Sequence, residues 1–328
     1  MPRSALAPTR RQLAGGLAAL AALRPGRATA NGWPERGVRL VTPAAPGSST
    51  DMAARLYAER LAAVWGQPVV VEPRTGADGI IAAEAMLGAR DGHTLLFSPA
   101  GVVTVTPLLR ERMPFDPVRD IIPISLVATD FLCIAVTATL PEVGSLQNLV
   151  DAARGRPGTL SVAAGLGGLS LALPAFLRDR GLVMTVASYL SPPDAIPDLI
   201  EGRLHVLFGP LAPMLRLARD GRVRVLAVTN PERTPAAPQV PTVIEEGYPE
   251  LEVEGTIGLF GPAGLPDEAR NRISQAVTQV AADPSLAERL GTAGVVPRAE
   301  PAEVFAQRLT RHRAHYAAMA ARAGARAP

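Results

Sequence analysis

The sequence contains no lysine, and all 33 of its cationic side chains are arginines. Without lysine, neither Schiff-base catalysis nor the P-loop mode of phosphate binding is open to this protein, because both need a lysine amine. The one cysteine, Cys133, lies in the apolar run FLCIAV and is expected to be a small buried hydrophobe. A single cysteine excludes an intramolecular disulfide, so stability must come from a hydrophobic core.

The first thirty residues are expected to be an export signal rather than part of the fold. Paired Arg10 and Arg11 precede an apolar run over residues 13–23, and residues 28–30 read as a cleavage site of small residues. The run is too short to span a bilayer, and the arginine pair favours a twin-arginine signal over a general secretory one. We therefore expect a periplasmic protein. The alternative is an amphipathic N-terminus of a cytosolic protein.

Removal of this segment changes the charge balance. The whole chain has a net charge of +3, but residues 1–30 carry five arginines and no acid, so the remainder has a net charge of −2. Aromatic residues make up only 4% of the sequence, and no basic cluster interleaved with aromatics follows the signal. A nucleic-acid partner is therefore not expected.

The order of apolar and helical segments predicts an α/β protein. The chain has 328 residues, of which 48% are hydrophobic, so it is long enough and apolar enough to form two α/β lobes. Short β-branched runs alternate with segments of helical periodicity, which favours parallel sheets with helical crossovers. The alternation starts afresh at residue 131 and continues to residue 229, so this block is expected to form a second lobe. A proline-rich passage over 231–249 follows it.

One stretch, VRLVTPAAPGSSTDMAARLYAERLAAVW (residues 38–65), reads as strand, turn and helix in succession. Ser49, Thr50 and Asp51 are all suitable residues to cap this helix. A helix N-terminus carries partial positive charge, so it can hold a carboxylate or a phosphate without a lysine or arginine. The alternative is an ordinary connection with a capping residue and no ligand.

Other strand ends have the same character. The segments RTGADG (74–79), SPAG (98–101), GLGGLS (165–170), SPPD (191–194) and GPLAP (209–213) all follow predicted strands. In open α/β sheets ligands bind at the carboxyl ends of strands, so two lobes that present such turns to each other would form a cleft. Small residues in these turns would let backbone amides approach a ligand closely.

Six phrases of the sequence occur in the same order in one known family. They are WPERGVRLVTPAAPGSSTDMAARLYAERL, GQPVVVEPRTGADGIIAAEAM, DGHTLLFSPAG, MPFDPVRDIIPISLVA, GRVRVLAVTNPERTPAAPQVPTVIEEG and GLFGPAGLP. Through them, nearly the whole mature chain resembles the Bug family of periplasmic receptors of tripartite tricarboxylate transporters. The resemblance implies a hinged, type II-like periplasmic-binding-protein fold with two lobes. Each lobe would be a mostly parallel sheet flanked by helices, with the ligand cleft between them.

The resemblance also implies lobe boundaries and partners. Residues 31–130 and 230–328 would form the first lobe and residues 131–229 the second, with hinges near 128–131 and 229–231. The protein would act as a monomer, bind a small carboxylate and deliver it to a two-component membrane permease. Family members hold the ligand with backbone amides, small hydroxyl residues and waters, and many have no assigned permease.

The expected ligand-binding residues follow by position from the family phrases. In the first lobe they are Gly47, Ser48, Ser49, Thr50, Asp51, Ala77, Asp78, Gly79, Ser98 and Ala100. In the second lobe they are Gly165, Gly167, Gly168, Ser170, Pro193, Asp194 and Gly209.

The second lobe departs from the family pattern. Leu166 and Leu169 replace polar residues, Gly209 and Pro210 replace an acid with its polar neighbour, and Pro197 falls where a helix is usual. An internal proline costs about 3 kcal/mol unless the helix begins late. We therefore expect a more apolar contact surface, which favours a monocarboxylate with a hydrophobic or aromatic body over a citrate-like ligand.

Enzyme and metal hypotheses find weaker support. GLGGLS has Ser170 in place of the third glycine of a dinucleotide fingerprint, and the GxSxG motif of serine hydrolases is absent from the sequence. His312 and His315 could reach one metal ion, but a solvated helix face explains the pair better. No catalytic residue, cofactor or metal is therefore expected.

Two other functional classes stay open. A ligand sensor that docks on a membrane signalling protein would share the ligand site of a transport receptor. A periplasmic enzyme would need a titratable group in the cleft, and the turns supply chiefly Asp51, Asp78 and Asp194.

Overall fold

The computed structural model of the protein describes residues 32–165, 167–189 and 192–324. The chain divides into two compact units, Met1–Trp33 and Pro34–Pro328, and both sheets belong to the second. The expected signal over residues 1–30 and Leu166 lie outside the described residues. Among those described, no helix has both the length and the apolar character required to cross a bilayer.

Strands and helices alternate as expected. The strands are β1 (Val38–Thr42), β2 (Val69–Pro73), β3 (Thr94–Pro99), β4 (Ile121–Asp130), β5 (Leu132–Thr137), β6 (Ser161–Ala164), β7 (Thr185–Val186), β8 (Val206–Pro210), β9 (Val223–Val228), β10 (Gly255–Pro262) and β11 (Val295–Glu300). The helices are α1 (Ser49–Trp65), α2 (Ile80–Ala89), α3 (Gly101–Thr104), α4 (Thr106–Leu109), α5 (Leu146–Gly155), α6 (Gly168–Asp179), α7 (Ile196–Ile200), α8 (Leu211–Arg219), α9 (Asp267–Ala281), α10 (Pro284–Gly291) and α11 (Ala302–Ala323).

The strands form two sheets with related topology. The first sheet has the order β11-β4-β10-β3-β1-β2 and the second has the order β7-β6-β8-β5-β9. β5 is the strand that the chain forms first when it enters the second sheet, and β10 is the strand that it forms first when it returns to the first sheet. Each of the two lies between two neighbours and runs antiparallel to both. The two-lobe α/β fold is as expected: most strands of each sheet run in one direction, and β10 and β11 in the first sheet and β5 in the second run against it.

The mixed direction has a geometric reason. β4 ends at Asp130 and β5 begins at Leu132, so the chain passes from one sheet to the other within a single residue. The parallel strands of both sheets direct their carboxyl ends toward this boundary, since Leu132 pairs with Pro210 at the end of β8. A strand that enters a sheet from the boundary must therefore run away from it, against its neighbours.

Helix α11 takes part in the cores of both lobes. Its N-terminal half supplies Phe305 and Leu309 to the core that includes residues of β1, β3 and β4. Its C-terminal half supplies Tyr316 and Met319 to the core that contains strands of the second sheet and α6. Gly168 begins α6 so close to this helix that an added Cβ would lie 2.8 Å from Tyr316 Cε1. The last helix thus joins the two lobes.

The expectation that Cys133 is a small buried hydrophobe is confirmed. Cys133 is fully buried in β5, and burial raises the pKa of its thiol. Pro284 lies in the first turn of α10, while Pro266 and Pro301 immediately precede α9 and α11. β11, which separates α10 from α11, was not predicted from the sequence.

A buried asparagine connects the two places where the chain passes between the sheets. Asn230 follows β9 and is fully buried. Its Oδ1 accepts a hydrogen bond from Leu132 N at 3.0 Å, and its Nδ2 donates to Asp130 O at 3.3 Å. Next to it, Thr229 N donates to Leu132 O at 3.0 Å. Both crossing segments fall at the expected hinges, whose motion stays a prediction.

We expect Asn230→Ala to lower the free energy of unfolding by about 2–4 kcal/mol, because it leaves a buried N–H and a carbonyl without their partner. Urea denaturation of the two proteins measures the difference. Asn271→Ala, at an exposed position on α9, serves as the matched control and should change stability by less than about 0.5 kcal/mol. A loss below about 1 kcal/mol in Asn230→Ala would contradict the connecting role.

Candidate functional site

The turn between β1 and α1 is stabilised by two reciprocal hydrogen bonds. Ser48 is the N-cap, and its Oγ accepts from Asp51 N at 3.3 Å. Asp51 Oδ2 in return accepts from Gly47 N at 2.9 Å. The expected caps, Ser49, Thr50 and Asp51, therefore all lie inside the helix, because the cap that can pair with Asp51 three residues on is Ser48.

This arrangement leaves two amides at the start of α1 without an acceptor inside the helix. Helix geometry gives the amides of Ser49 and Thr50 no intrahelical acceptor, whereas Asp51 N is satisfied by Ser48. Asp51 is only 3% exposed; its Oδ2 also accepts from Arg55 Nε at 3.0 Å, while its buried Oδ1 has no hydrogen-bond partner. Asp51 thus supports the turn, and the two amides before it form the candidate anion site.

An acid that the sequence analysis did not single out lies beside this helix end. Asp130, the last residue of β4, is half-buried, and its Oδ2 accepts a hydrogen bond from Ser49 Oγ at 2.7 Å. Desolvation raises the pKa of the Asp130 carboxyl to about 6, although the hydrogen bond from Ser49 acts in the opposite direction. A carboxyl group that titrates near neutral pH therefore touches the candidate anion site.

The second turn has an unusual backbone. Four consecutive residues have positive φ, namely Gly76 (112°), Ala77 (47°), Asp78 (51°) and Gly79 (91°). For Ala77 and Asp78 this region is unfavourable, and Asp78 is held there by Arg110, which donates to its carboxylate. The carbonyl oxygen of Asp78 also accepts from Thr106 Oγ1 at 3.0 Å. The Asp78 carboxylate therefore has a structural partner.

Gly79 brings the three turns of the first lobe together. A Cβ added at Gly79 would lie 2.4 Å from Val102 Cγ2 and 3.4 Å from Pro43 Cβ. Val102 belongs to α3, which follows β3, and Pro43 follows β1. The turns after β1, β2 and β3 are thus in contact, and Gly79 is the residue that permits it.

Two of the expected first-lobe residues direct their polar groups inward. Ser98 is fully buried, and its Oγ donates to Pro99 O at 2.9 Å. Ala100 N donates to Thr256 O at 2.8 Å. In this conformation both residues support the turn after β3 and leave ligand contact to their neighbours.

The glycine-rich turn of the second lobe is also internally bonded. Gly165 N donates to Phe208 O at 2.8 Å, and Ser170 donates to Gly167 O through both its N and its Oγ, at 3.1 and 2.7 Å. Leu169 is 2% exposed and belongs to a hydrophobic core. Leu169 therefore adds nothing to an apolar contact surface in this conformation, because the first turn of α6 directs its side chain inward; the expected apolar character of the second lobe stays a prediction.

The remaining second-lobe residues lie in two further segments. Asp194 is exposed in a 3₁₀ turn over Pro192–Ala195, which also contains Pro193. Gly209 is buried in β8, where it pairs with Cys133, and Pro210 is the N-cap of α8. Helix α7 does begin late, at Ile196, so Pro197 lies in its first turn and carries no helix-breaking cost.

The turns of the two lobes meet at a pair of glycines. A Cβ added at Gly101, which begins α3, would lie 3.8 Å from Gly167 Cα, just before α6. Gly101 follows the turn after β3, whereas Gly167 follows β6, so strand ends of both sheets face each other here. Ser49 and Asp130 lie at the same boundary, where β4 leaves the first sheet.

The paired histidines of α11 do not lie on a solvated face, contrary to the expectation from the sequence. His312 Nε2 lies 2.9 Å from Glu254 Oε2, and His315 Nε2 lies 3.0 Å from Glu252 O. Burial raises the pKa of the Glu254 carboxyl, but His312 and Arg308 outweigh it and hold that pKa below its ordinary value. The pair thus attaches the segment before β10 to α11. Within the described ranges, no cluster of three or more His, Cys, Asp or Glu side chains could hold a metal ion.

Comparisons with known proteins agree on one family. Residues 53–320 match the model of the tripartite tricarboxylate transporter family receptor. A UPF0065 protein of Bordetella bronchiseptica is 35% identical over 277 residues, which cover 82% of this chain and 80% of that protein.

Two solved structures have the same fold. Rpa4515 of Rhodopseudomonas palustris, solved with adipate, is 30% identical with a TM-score of 0.80 over 89% of this chain and 98% of its own. MatC (Rpa3494) from the same organism, solved with bound malate, is 27% identical with a TM-score of 0.76 over 88% of this chain and 99% of its own.

The raised pKa of Asp130 predicts a specific dependence of stability on pH. A folded-state pKa of about 6, above the ordinary 3.8, means that the folded protein binds this proton more tightly than the unfolded chain does. The stability that Asp130 contributes is therefore complete below about pH 4 and is lost as the pH rises through 6. Asp130→Asn, which cannot ionise, should gain about 1–3 kcal/mol relative to the wild type between pH 4.5 and pH 7.5.

Urea denaturation at both pH values measures this gain. Asp220→Asn, at an exposed position after α8, is the matched control and should show no such change with pH. A relative loss of stability in Asp130→Asn on going to pH 7.5 would show that the carboxylate form is the one that the fold favours.

Proposed function

Because this chain belongs to the tripartite tricarboxylate transporter receptor family, we propose that it captures a small carboxylate between its two lobes. The resemblance found in the six phrases of the sequence is thereby confirmed. In this proposal the protein is a periplasmic solute-binding receptor that delivers its ligand to a membrane permease of the tripartite tricarboxylate transporter type.

The observation that supports the proposal most is the meeting of strand-end turns from both sheets at Gly101 and Gly167. Ligands of open α/β sheets bind at the carboxyl ends of strands, and two sets of such ends enclose more of a ligand than one. Two structural neighbours were solved with the carboxylates adipate and malate, which makes this ligand class the first to test.

The chemistry of the turns suits a carboxylate bound without an arginine clamp. The amides of Ser49 and Thr50 open α1 and can donate to an anion, and the partial positive charge of a helix of 17 residues adds to their effect. Arg110 is the cationic side chain that contacts the turn after β2, and it is already paired with Asp78. We therefore assign the anion contact to the α1 end and not to a cationic side chain.

The acidic residues of the turns fit a binding protein better than an enzyme. Asp51 supports the α1 turn through Gly47 N, and Asp78 is paired with Arg110. Both carboxylates are thus engaged in positioning the backbone. Asp194 is exposed in its turn, and an enzyme at this boundary would need it, or Asp130, to act on a bound substrate.

We expect mature protein over residues 31–328 to be stabilised in a thermal-shift screen by one or more small carboxylates, with adipate, malate and aromatic monocarboxylates in the panel. A ligand at one hundred times its Kd should stabilise the protein by about 2.7 kcal/mol, which is a shift of a few degrees. Amino acids, sugars and inorganic phosphate form the comparison set. Hits confined to sugars, or no hit at all, would contradict the proposal.

Titration calorimetry with the best hit then tests the assigned contact. At pH 6.5, Ser49→Ala should weaken binding about 10- to 150-fold, the effect of about one hydrogen bond to a charged group. Ser274→Ala on α9 is the matched control and should bind as the wild type does. Equal affinity of Ser49→Ala and the wild type at pH 6.5 would show that the Ser49 hydroxyl does not contact the anion, although the amides of residues 49 and 50 are still present in the variant. Delivery to a permease is tested by uptake of the labelled hit into cells that carry or lack this gene.

A further inference from the structure

Ser49 cannot serve the ligand in the hydrogen-bonding state that the structure records. A serine hydroxyl has one hydrogen, and that of Ser49 is donated to Asp130 Oδ2 at 2.7 Å. A ligand carboxylate at the α1 end would need the same hydrogen. It would also bring a second negative charge next to the Asp130 carboxylate, and like charges at such range disfavour each other.

We infer that a proton on Asp130 switches Ser49 between two hydrogen-bonding states, so that carboxylate binding is coupled to the uptake of one proton. This inference rests on the proposed function, because it concerns the same ligand site. It assigns to Asp130 the role of a positioning residue that acts on the ligand through Ser49.

The two states differ only in the placement of hydrogens. With Asp130 ionised, Ser49 Oγ–H donates to Asp130 and offers the ligand nothing. When Asp130 takes a proton from solvent, its O–H donates to Ser49 Oγ, and the serine hydrogen is free to turn toward the anion. A carboxylic acid group donates and accepts, whereas its ionised form only accepts, so the reversal needs no backbone movement. A ligand that binds through one carboxylate group brings one negative charge to the site, and the proton taken up by Asp130 neutralises one negative charge there.

The surroundings of Asp130 favour easy protonation. It pairs with Gly255 of β10 and Val295 of β11, and its carbonyl accepts from Asn230. A Cβ added at Gly255 would lie 2.0 Å from Asp130 O, so the strands pack closely around this residue and partly desolvate it. Its pKa of about 6 reflects that desolvation and lies within reach of ordinary pH changes.

The ionisable groups on the elements around Asp130 have partners of their own. On α1, Asp51 is engaged by Gly47 N and Arg55. Before β10, Glu254 is engaged by Arg308 and His312. On β11, Arg298 is paired with Glu232. The causes that act on the pKa of Asp130 are desolvation and the Ser49 hydrogen bond, so the Ser49 contact is the one that a ligand would change.

The coupling is tested by titration calorimetry of the whole mature protein with adipate, malate and the tightest hit of the carboxylate panel, from pH 6.5 to 8.5. These probes are fully ionised in that range, so a pH dependence belongs to the protein. We expect the affinity to fall by up to about tenfold per pH unit. Measurements in two buffers of different ionisation enthalpy should show uptake of close to one proton at pH 7.5.

Asp130→Asn should abolish both signals. The asparagine amide donates to Ser49 Oγ as the protonated acid does, so binding should be independent of pH and at least as tight as that of the wild type at pH 6.5. Asp220→Asn is the matched control and should keep the full pH dependence. If Asp130→Asn proves unstable, Ser49→Ala gives the same answer: its loss of affinity should be larger at pH 6.5 than at pH 8.5, because the hydroxyl serves the ligand only at the lower pH.

The outcomes separate this inference from the function on which it rests. Carboxylate binding with no proton uptake, or with full pH dependence retained in Asp130→Asn, overturns the coupling and leaves the receptor function standing. Affinity that rises with pH would mean that the ligand donates a hydroxyl or ammonium hydrogen to ionised Asp130, which also overturns it. Failure of all carboxylates to bind at any pH overturns both.

Discussion

The fold depends on the way in which the chain passes between the two sheets. Both passages lie side by side, and the buried amide of Asn230 bonds to backbone atoms on each side of Phe131. Because parallel strands of both sheets end at this boundary, the strands that enter from it, β5 and β10, must run antiparallel. The same geometry places the strand-end turns of both lobes opposite one another. The position of the candidate site therefore follows from the way in which the chain crosses between the two sheets.

Local structure could be predicted from the sequence with little error. Residues 38–65 were expected to be strand, turn and helix, and they form β1 and α1 with the turn between them. These elements are set by apolar periodicity and by glycine and proline at their ends, which are properties of neighbouring residues. The direction of β10 and the existence of β11 depend instead on pairing with β4, more than a hundred residues earlier. No local pattern records that pairing.

The candidate site, like the fold, could be predicted only where local sequence determines it. Glycine-rich strand ends indicated where a ligand site should be, and the close approach of Gly101 and Gly167 agrees with that expectation. Which polar atoms remain available was not predictable, since Ser98 and Ser170 both bond to nearby carbonyl oxygens. Asp130 was missed because its hydroxyl partner is 81 residues away. The lobe boundaries and the ligand contacts themselves stay predictions.

Helix α11 has a consequence for the order in which this protein can mature. Phe305 and Leu309 complete one core, and Tyr316 and Met319 complete the other, so neither core is closed before the last helix of the chain exists. During synthesis the ribosome must therefore release nearly the whole polypeptide with apolar surface exposed in both lobes. Packing of α11 therefore completes both cores at once, and the loss of its C-terminal half would remove Tyr316 and Met319 from the core of the second lobe.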